Sequence, residues 1–163
     1  MAILEIRKFN EPVLRKKAKK VRGITPEIKQ LAQDMVETMK EGNGVGLAGP
    51  QVGISKKIIA VETDYRDRKI LVLLNPKITK RSREKAVDTE GCLSFPGIYL
   101  EIKRAKRVEV KAKNIEGEKI KLKASGLLAR AFQHEIDHTN GIVFYNRLGL
   151  LKRIAIKRKH HLK

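Results

Sequence analysis

The segment His134-Glu135-Ile136-Asp137-His138 constrains this chain more than any other five residues. Two histidines four positions apart lie about 40° from each other around a helix of about 3.6 residues per turn, so both imidazoles reach one ion if the segment is helical. Glu135 then stands beside that ion as a candidate base. Leu127 and Ala131 share the stripe of His134 and His138, which predicts a helix turning that stripe to the core, capped by Ser125 and ended by Gly141. The alternative is a pair of surface histidines, since the pattern also arises by chance. Against it stand the apolar stripe and the position of the only other histidines, His160 and His161, in the tail. A catalytic ion needs a third protein ligand and one position open to water. No Asp or Glu follows Asp137, and the residue six after His138 is Phe144, so that ligand comes from upstream. Cys92, the one cysteine, is the softest candidate. A lone cysteine is also found as a small buried hydrophobe.

Around this segment the pattern predicts an α+β chain. Thr25-Pro26 reads as a cap and first-turn proline, and Ile28, Leu31, Ala32, Met35, Val36 and Met39 give a helix over 26–40. Gly42, Gly44, Gly46, Gly49 and Pro50 interrupt regular structure. Short Ile- and Val-rich runs at 57–62 and 70–75 read as strands. Val108, Val110 and Ala112 alternate with charges, as do Ile120, Leu122 and Ala124, which predicts a hairpin turning at 114–117. A basic helix is expected over 147–162, with Leu148, Leu151, Ile154 and Ala155 inward. At 163 residues, 41% hydrophobic and 34% charged, the chain is expected to be one domain, 1–163, and disorder throughout is excluded. With one cysteine there is no internal disulfide, and a reducing, cytoplasmic setting follows. Residues 1–10 lack the apolar core of a signal peptide, and no apolar run approaches the ~18 residues of a membrane span. The expected assembly is a monomer.

Three segments carry a resemblance to one family. Gly44-Val45-Gly46-Leu47-Ala48-Gly49-Pro50-Gln51, Glu90-Gly91-Cys92-Leu93-Ser94 and Gln133-His134-Glu135-Ile136-Asp137-His138 occur in that order, after a Pro12-Val13-Leu14-Arg15 opening. In these the chain resembles the peptide deformylases, which remove the formyl group from the N-terminal methionine of new polypeptides. The resemblance implies an α+β fold with antiparallel sheets around a central helix bearing the two histidines. It implies Cys92, His134 and His138 as metal ligands, Glu135 as acid and base, and Gln51 with the Leu93 N–H as oxyanion donors. Fe(II) is the ion it implies. One sulfur and two nitrogens equally allow zinc, nickel or cobalt. Val45, Leu127, Arg130 and Ala131 fall where the family lines its methionine pocket, and Gly91 borders it. Gly44 to Gly46 would let a peptide backbone approach closely, or serve only as a tight turn. Phe95 and Tyr99 read as groove walls or as core. Gly49 stands where the family usually has alanine, which would loosen the loop holding Gln51, and Thr139 replaces a usual leucine.

The formal charge of +19 admits a second function class, an RNA- or ribosome-binding protein with an incidental metal motif. Four Phe, three Tyr and no Trp give it little with which to stack bases. A non-catalytic metal scaffold would close its ion with four ligands, and only three are found. The expected partners are formylmethionyl nascent chains and, through the basic tail, the ribosome exit region. A solvated face is the other reading of that tail.

Overall fold

The computed structural model describes residues 2–64 and 69–162. Strands β1 (Gly46–Ala48), β2 (Ile58–Asp64), β3 (Lys69–Arg81), β6 (Arg107–Lys113) and β7 (Lys119–Ser125) form an antiparallel sheet in the order β1-β2-β3-β6-β7. A second, two-stranded sheet pairs β4 (Lys85–Glu90) with β5 (Leu100–Ala105). With helices α1 (Pro26–Glu41), α2 (Gly126–Thr139) and α3 (Leu150–Lys159), the architecture is α+β with antiparallel sheets.

Period-2 alternation decides what each face of the large sheet meets. Ile59, Val61, Leu73, Val108, Val110 and Ala124 point to one side and pack with Ala129, Phe132 and Ile136 of α2. Ile58, Ala60 and Leu74 point to the other and pack with Ile28, Ala32, Met35 and Met39 of α1. β2 is therefore covered on both faces, which is why it reads as an unbroken apolar run rather than an alternating one. A third cluster joins Leu14, Phe95, Ile102 and Phe144 beneath the loop after β4.

Several elements differ from the sequence reading. The glycine-rich run is irregular only at 42–45: Gly46, Leu47 and Ala48 pair with Val61, Ala60 and Ile59, and a 3-10 turn follows at Gly49–Val52. β3 runs well beyond Asn75 because register shifts between Leu74 and Lys77 absorb Pro76, which has no N–H to give the ladder. β4 and β5 have no counterpart in the sequence reading, since β4 carries only Ala86 and Val87 as apolar side chains. The tail turns once at Phe144–Arg147 before α3 begins, so a stripe counted from Leu148 is out of phase with the helix. Leu151 is 82% and Ile154 43% exposed, and Ala155 is also exposed. Leu148 does pack inward as expected, and Ile156 and Leu162 hold the tail with it. Thr25 and Ser125 occupy their cap positions, but neither side chain bonds the helix backbone.

The end of α2 is fixed by backbone geometry. The N–H of Gly141 donates to the carbonyl of His138 and that of Ile142 to Asp137, the paired bonds of a Schellman ending. Gly141 has a φ of 74°, and a Cβ there would lie 2.6 Å from the Arg15 carbonyl oxygen. Gly141→Ala is expected to destabilise the protein by about 2 kcal/mol through αL strain alone, and more through that clash. A thermal melt should show a Tm lower by at least roughly 4 °C.

Candidate metal centre

The stripe predicted for α2 meets a cavity of about 550 Å³ rather than solid core. Ala131, His134 and His138 are buried, whereas Leu127 at the first turn is half-exposed over the cavity. From the opposite wall the loop after β4 brings Cys92. Its Sγ lies 3.3 Å from His138 Nε2, which in turn lies 3.2 Å from His134 Nε2. All three donor atoms fall within 4.8 Å of one another. Ligands on a tetrahedral ion with bonds of about 2.0–2.3 Å stand about 3.3–3.7 Å apart, so the trio fits a divalent cation. The donor set agrees: two imidazoles from α2 and one thiol from the loop after β4, close to one another.

The surroundings set the protonation of these groups. Burial works against a charged His134, but its bonds to the Cys92 thiol and the Glu90 carboxylate outweigh it and hold its pKa well above the usual imidazole range. Burial and the positive charges of His134 and Arg104 push His138 well below that range. Burial pushes Glu135 up to about 7, with His134 pulling the other way. Glu135 Oε2 and His138 Nδ1 are buried with no hydrogen-bond partner among the described residues.

Gln51 sits on the 3-10 turn after β1 and is 1% exposed. Its Oε1 accepts from the Ala48 N–H at 2.7 Å, which aims its Nε2 at Cys92 Sγ, 3.4 Å away. The loop holding it is tight: a Cβ on Gly49 would lie 2.7 Å from the Lys56 carbonyl, so glycine here is what the packing requires. Gly46 serves Glu135 directly, because a Cβ at that position would stand 2.4 Å from Glu135 Oε1. Leu93 lies at the cavity edge with its side chain against Gly42 and Gly44. Thr139, fully buried, donates its hydroxyl to the Ile136 carbonyl at 2.8 Å.

Gly44, Val45, Gly91, Leu127, Arg130 and Ala131 all line the same cavity. Arg130 differs from its neighbours in that its guanidinium is already engaged, by Glu90 at 2.7 Å and the Ile102 and Ala86 carbonyls. Only its stem is available to a ligand. Phe95 is fully buried among Phe9, Phe144 and Tyr145, and Tyr99 is 71% exposed against Gly91. The first is core that reaches the cavity, and the second is rim.

Sequence reasoning missed the groups behind the ligands. Glu90 accepts from His134 Nδ1 at 2.9 Å and from Arg104 at 2.8 and 2.9 Å. Arg104 also donates to Asp137 at 2.5 Å, and Arg147 closes the far side of Asp137. Desolvation opposes ionisation of Glu90, but the Arg104 and His134 bonds win and hold its pKa far below the usual carboxylate range. One sign of this was readable: Arg104 falls in register with Leu100 and Ile102 on β5, an inward position for a charge.

Comparison with known proteins agrees with this geometry. Residues 3–154 match the family described as polypeptide deformylase. The peptide deformylase of Thermodesulfovibrio yellowstonii is 45% identical over 165 residues, covering 100% of this chain and 99% of that one. That of Dictyoglomus thermophilum is 52% identical over 145 residues, covering 89% and 92%. Among solved structures, peptide deformylase from Thermus thermophilus superposes with a TM-score of 0.91 at 44% identity, covering 98% and 93%. One from Synechococcus elongatus in complex with actinonin gives 0.91 at 39%, covering 100% and 90%.

The ion network makes its own prediction. Arg104→Met leaves Glu90 and Asp137 buried without their shared cation, and is expected to cost about 3–5 kcal/mol. Urea unfolding measures it. Arg147→Met, at a half-exposed partner of Asp137, should cost less in the same assay.

Proposed function

The chain belongs to the polypeptide deformylase family and is an enzyme that removes N-formyl groups from nascent peptides, and we propose that it does so by metal-dependent hydrolysis of formylmethionine, releasing formate. The observation that carries the metal-dependent reading is the convergence of Cys92, His134 and His138 in a cavity that also holds a buried carboxylate with an unpartnered oxygen. A divalent ion held by these three supplies Lewis acidity and a water of lowered pKa. We assign Fe(II), with zinc, nickel and cobalt compatible with the same donors.

Glu135 takes a proton from the attacking water and returns it to the leaving amide nitrogen as the formyl C–N bond breaks. Its position is held by the absence of a Cβ at Gly46. The Gln51 amide and the Leu93 N–H donate to the formyl oxygen as it gains negative charge, each worth roughly 3 kcal/mol in comparable sites. β1 is an edge strand, so an extended peptide could add to it along Gly44, Val45 and Gly46. Val45 and Leu127, 39% and 49% exposed at the cavity mouth, offer apolar surface to the methionine side chain, with Gly91, Ala131 and the Arg130 stem behind them.

This reading takes residues 1–163 as one catalytic domain, its sheets arranged around α2 at the centre. It places the protein as a monomer in the reducing cytoplasm, where a free thiolate ligand survives. No helix among the described residues is long and apolar enough to cross a membrane. The basic α3, exposed along most of its length, would meet the ribosome exit region.

Glu135→Gln should bind metal and keep its fold but lose at least 100-fold in turnover of a formyl-Met peptide, because an amide cannot accept the proton. Gly46→Ala, which displaces the same carboxylate from outside the site's chemistry, should lower kcat at least tenfold with metal content unchanged. Near wild-type turnover in Glu135→Gln would remove it as the base.

The ligand assignment is tested by metal analysis. Cys92→Ala should retain well under a tenth of the wild-type metal, whereas Cys92→Asp should bind with preference shifted toward harder ions. Full occupancy in Cys92→Ala would exclude the thiolate as a ligand.

A further inference from the structure

The half of the sheet that α1 leaves uncovered carries an ordered grid of cations. Register sets Lys77 opposite Lys111 and Lys111 opposite Lys121, so three lysines stand in one row across β3, β6 and β7. The next row sets Lys113 opposite Lys119, and the row on the other side places Lys80 and Lys123 around Glu109. All seven lysines are exposed. The alternate residues Val108, Val110 and Ala124 pack under α2, so these side chains project from the opposite face to the metal centre.

Little within the fold compensates this charge. Glu109 meets Lys121 at 2.9 Å and Lys80 at 3.8 Å. Lys77, Lys111, Lys113 and Lys119 have no ion-pair partner among the described residues. Glu118, at the turn that ends the grid, is bonded to Asn114. Like charges directly opposite on neighbouring strands repel and cost stability. A local rule broken repeatedly, with one carboxylate, Glu109, set among seven lysines to offset it, marks a surface that answers to something outside it.

The chemistry of the face selects its partner. Rows lie about 7 Å apart along a strand and strands about 4.8 Å apart, so the grid is a plane of positive charge on the order of 10 Å by 15 Å. That spans several consecutive phosphates of a double helix at about 3.4 Å of rise each. None of the seven side chains is aromatic, so the face offers no platform for unpaired bases. None is apolar, so nothing on it enters a lipid interface. At one end a further cavity brings Arg81 and Arg107 beside Lys80 and Lys123, extending the same field. We infer that the lysine face of β3, β6 and β7 binds the phosphate backbone of double-helical nucleic acid without reading its bases. The inference rests on strand register and charge, and stands apart from the deformylase reading.

The test titrates the full-length protein into fluorescent RNA and DNA duplexes of about 20 base pairs, followed by anisotropy across a KCl series. Lys111→Glu with Lys113→Glu places acids opposite Lys121 and Lys119. Its affinity at low salt should fall at least tenfold, and its log-log salt slope should become shallower by about two or more. Its Tm should rise, because repulsion becomes attraction. Turnover of a formyl-Met peptide should be unchanged. Binding of both duplexes, or preference for one, supports the proposal and says which helix is held. Wild-type affinity in the sheet variant overturns it, as does loss confined to a Lys157→Glu, Arg158→Glu, Lys159→Glu variant of α3. Tight, variant-sensitive binding to phosphatidylserine vesicles with none to either duplex overturns it in favour of a membrane surface.

Discussion

Glu90 is the residue on which the arrangement around Cys92, His134 and His138 depends. Its carboxylate, 5% exposed, accepts at once from Arg104 on β5, Arg130 on α2 and His134 on α2. A buried carboxylate is tolerated only when its lone pairs are filled and its charge matched, and here both conditions tie the small sheet to the histidine helix. Arg104 extends the tie to Asp137, which sits one turn along α2 from His134, and Arg147 carries it to the segment before α3. Two buried acids, the buried guanidiniums of Arg104 and Arg130 and the half-exposed Arg147 thus join four stretches of chain.

The same network aims the candidate ligands. With His134 Nδ1 bonded to Glu90, the opposite ring nitrogen is the one turned toward Cys92 and His138, and the imidazole cannot rotate without breaking a buried ion pair. Gln51 is aimed in a comparable way by its bond to the Ala48 N–H. Nothing comparable restrains His138, whose Nδ1 has no partner among the described residues. Its ring is fully buried and meets the His134 ring edge-on, with centroids 4.9 Å apart.

What the sequence disclosed follows from how rare each signal is in this chain. Four histidines and one cysteine make the ligand trio conspicuous, and helical spacing supplies its geometry. Glu90, Arg104 and Asp137 are hidden by abundance, since a third of the residues are charged and a buried acid looks like any other. Gly49 reads as loosening its loop and Gly46 as room for a peptide backbone or a tight turn, but the contacts each makes are inside the fold, one with the loop backbone and one with Glu135. That role depends on contacts across the fold, which spacing along the chain cannot express. The α3 stripe failed for a local reason: the 3-10 turn at Phe144–Arg147 resets the helical phase just before Leu150.

The position of the cavity follows from where the large sheet ends. β1 has three residues, is paired on one side only, and is followed at once by the turn bearing Gln51. An unpaired edge invites pairing with other chains, and proteins blunt such edges by shortness or by cover. This one is short, and the loop bearing Cys92 lines a cavity of about 550 Å³ with Gly46 of the same edge, leaving an open slot beside it. Val45 and Leu127 face that slot as apolar side chains that the fold itself leaves unburied. The open edge that would be a liability elsewhere is therefore confined to the one place where the chain lines a cavity with Cys92, His134 and Glu135.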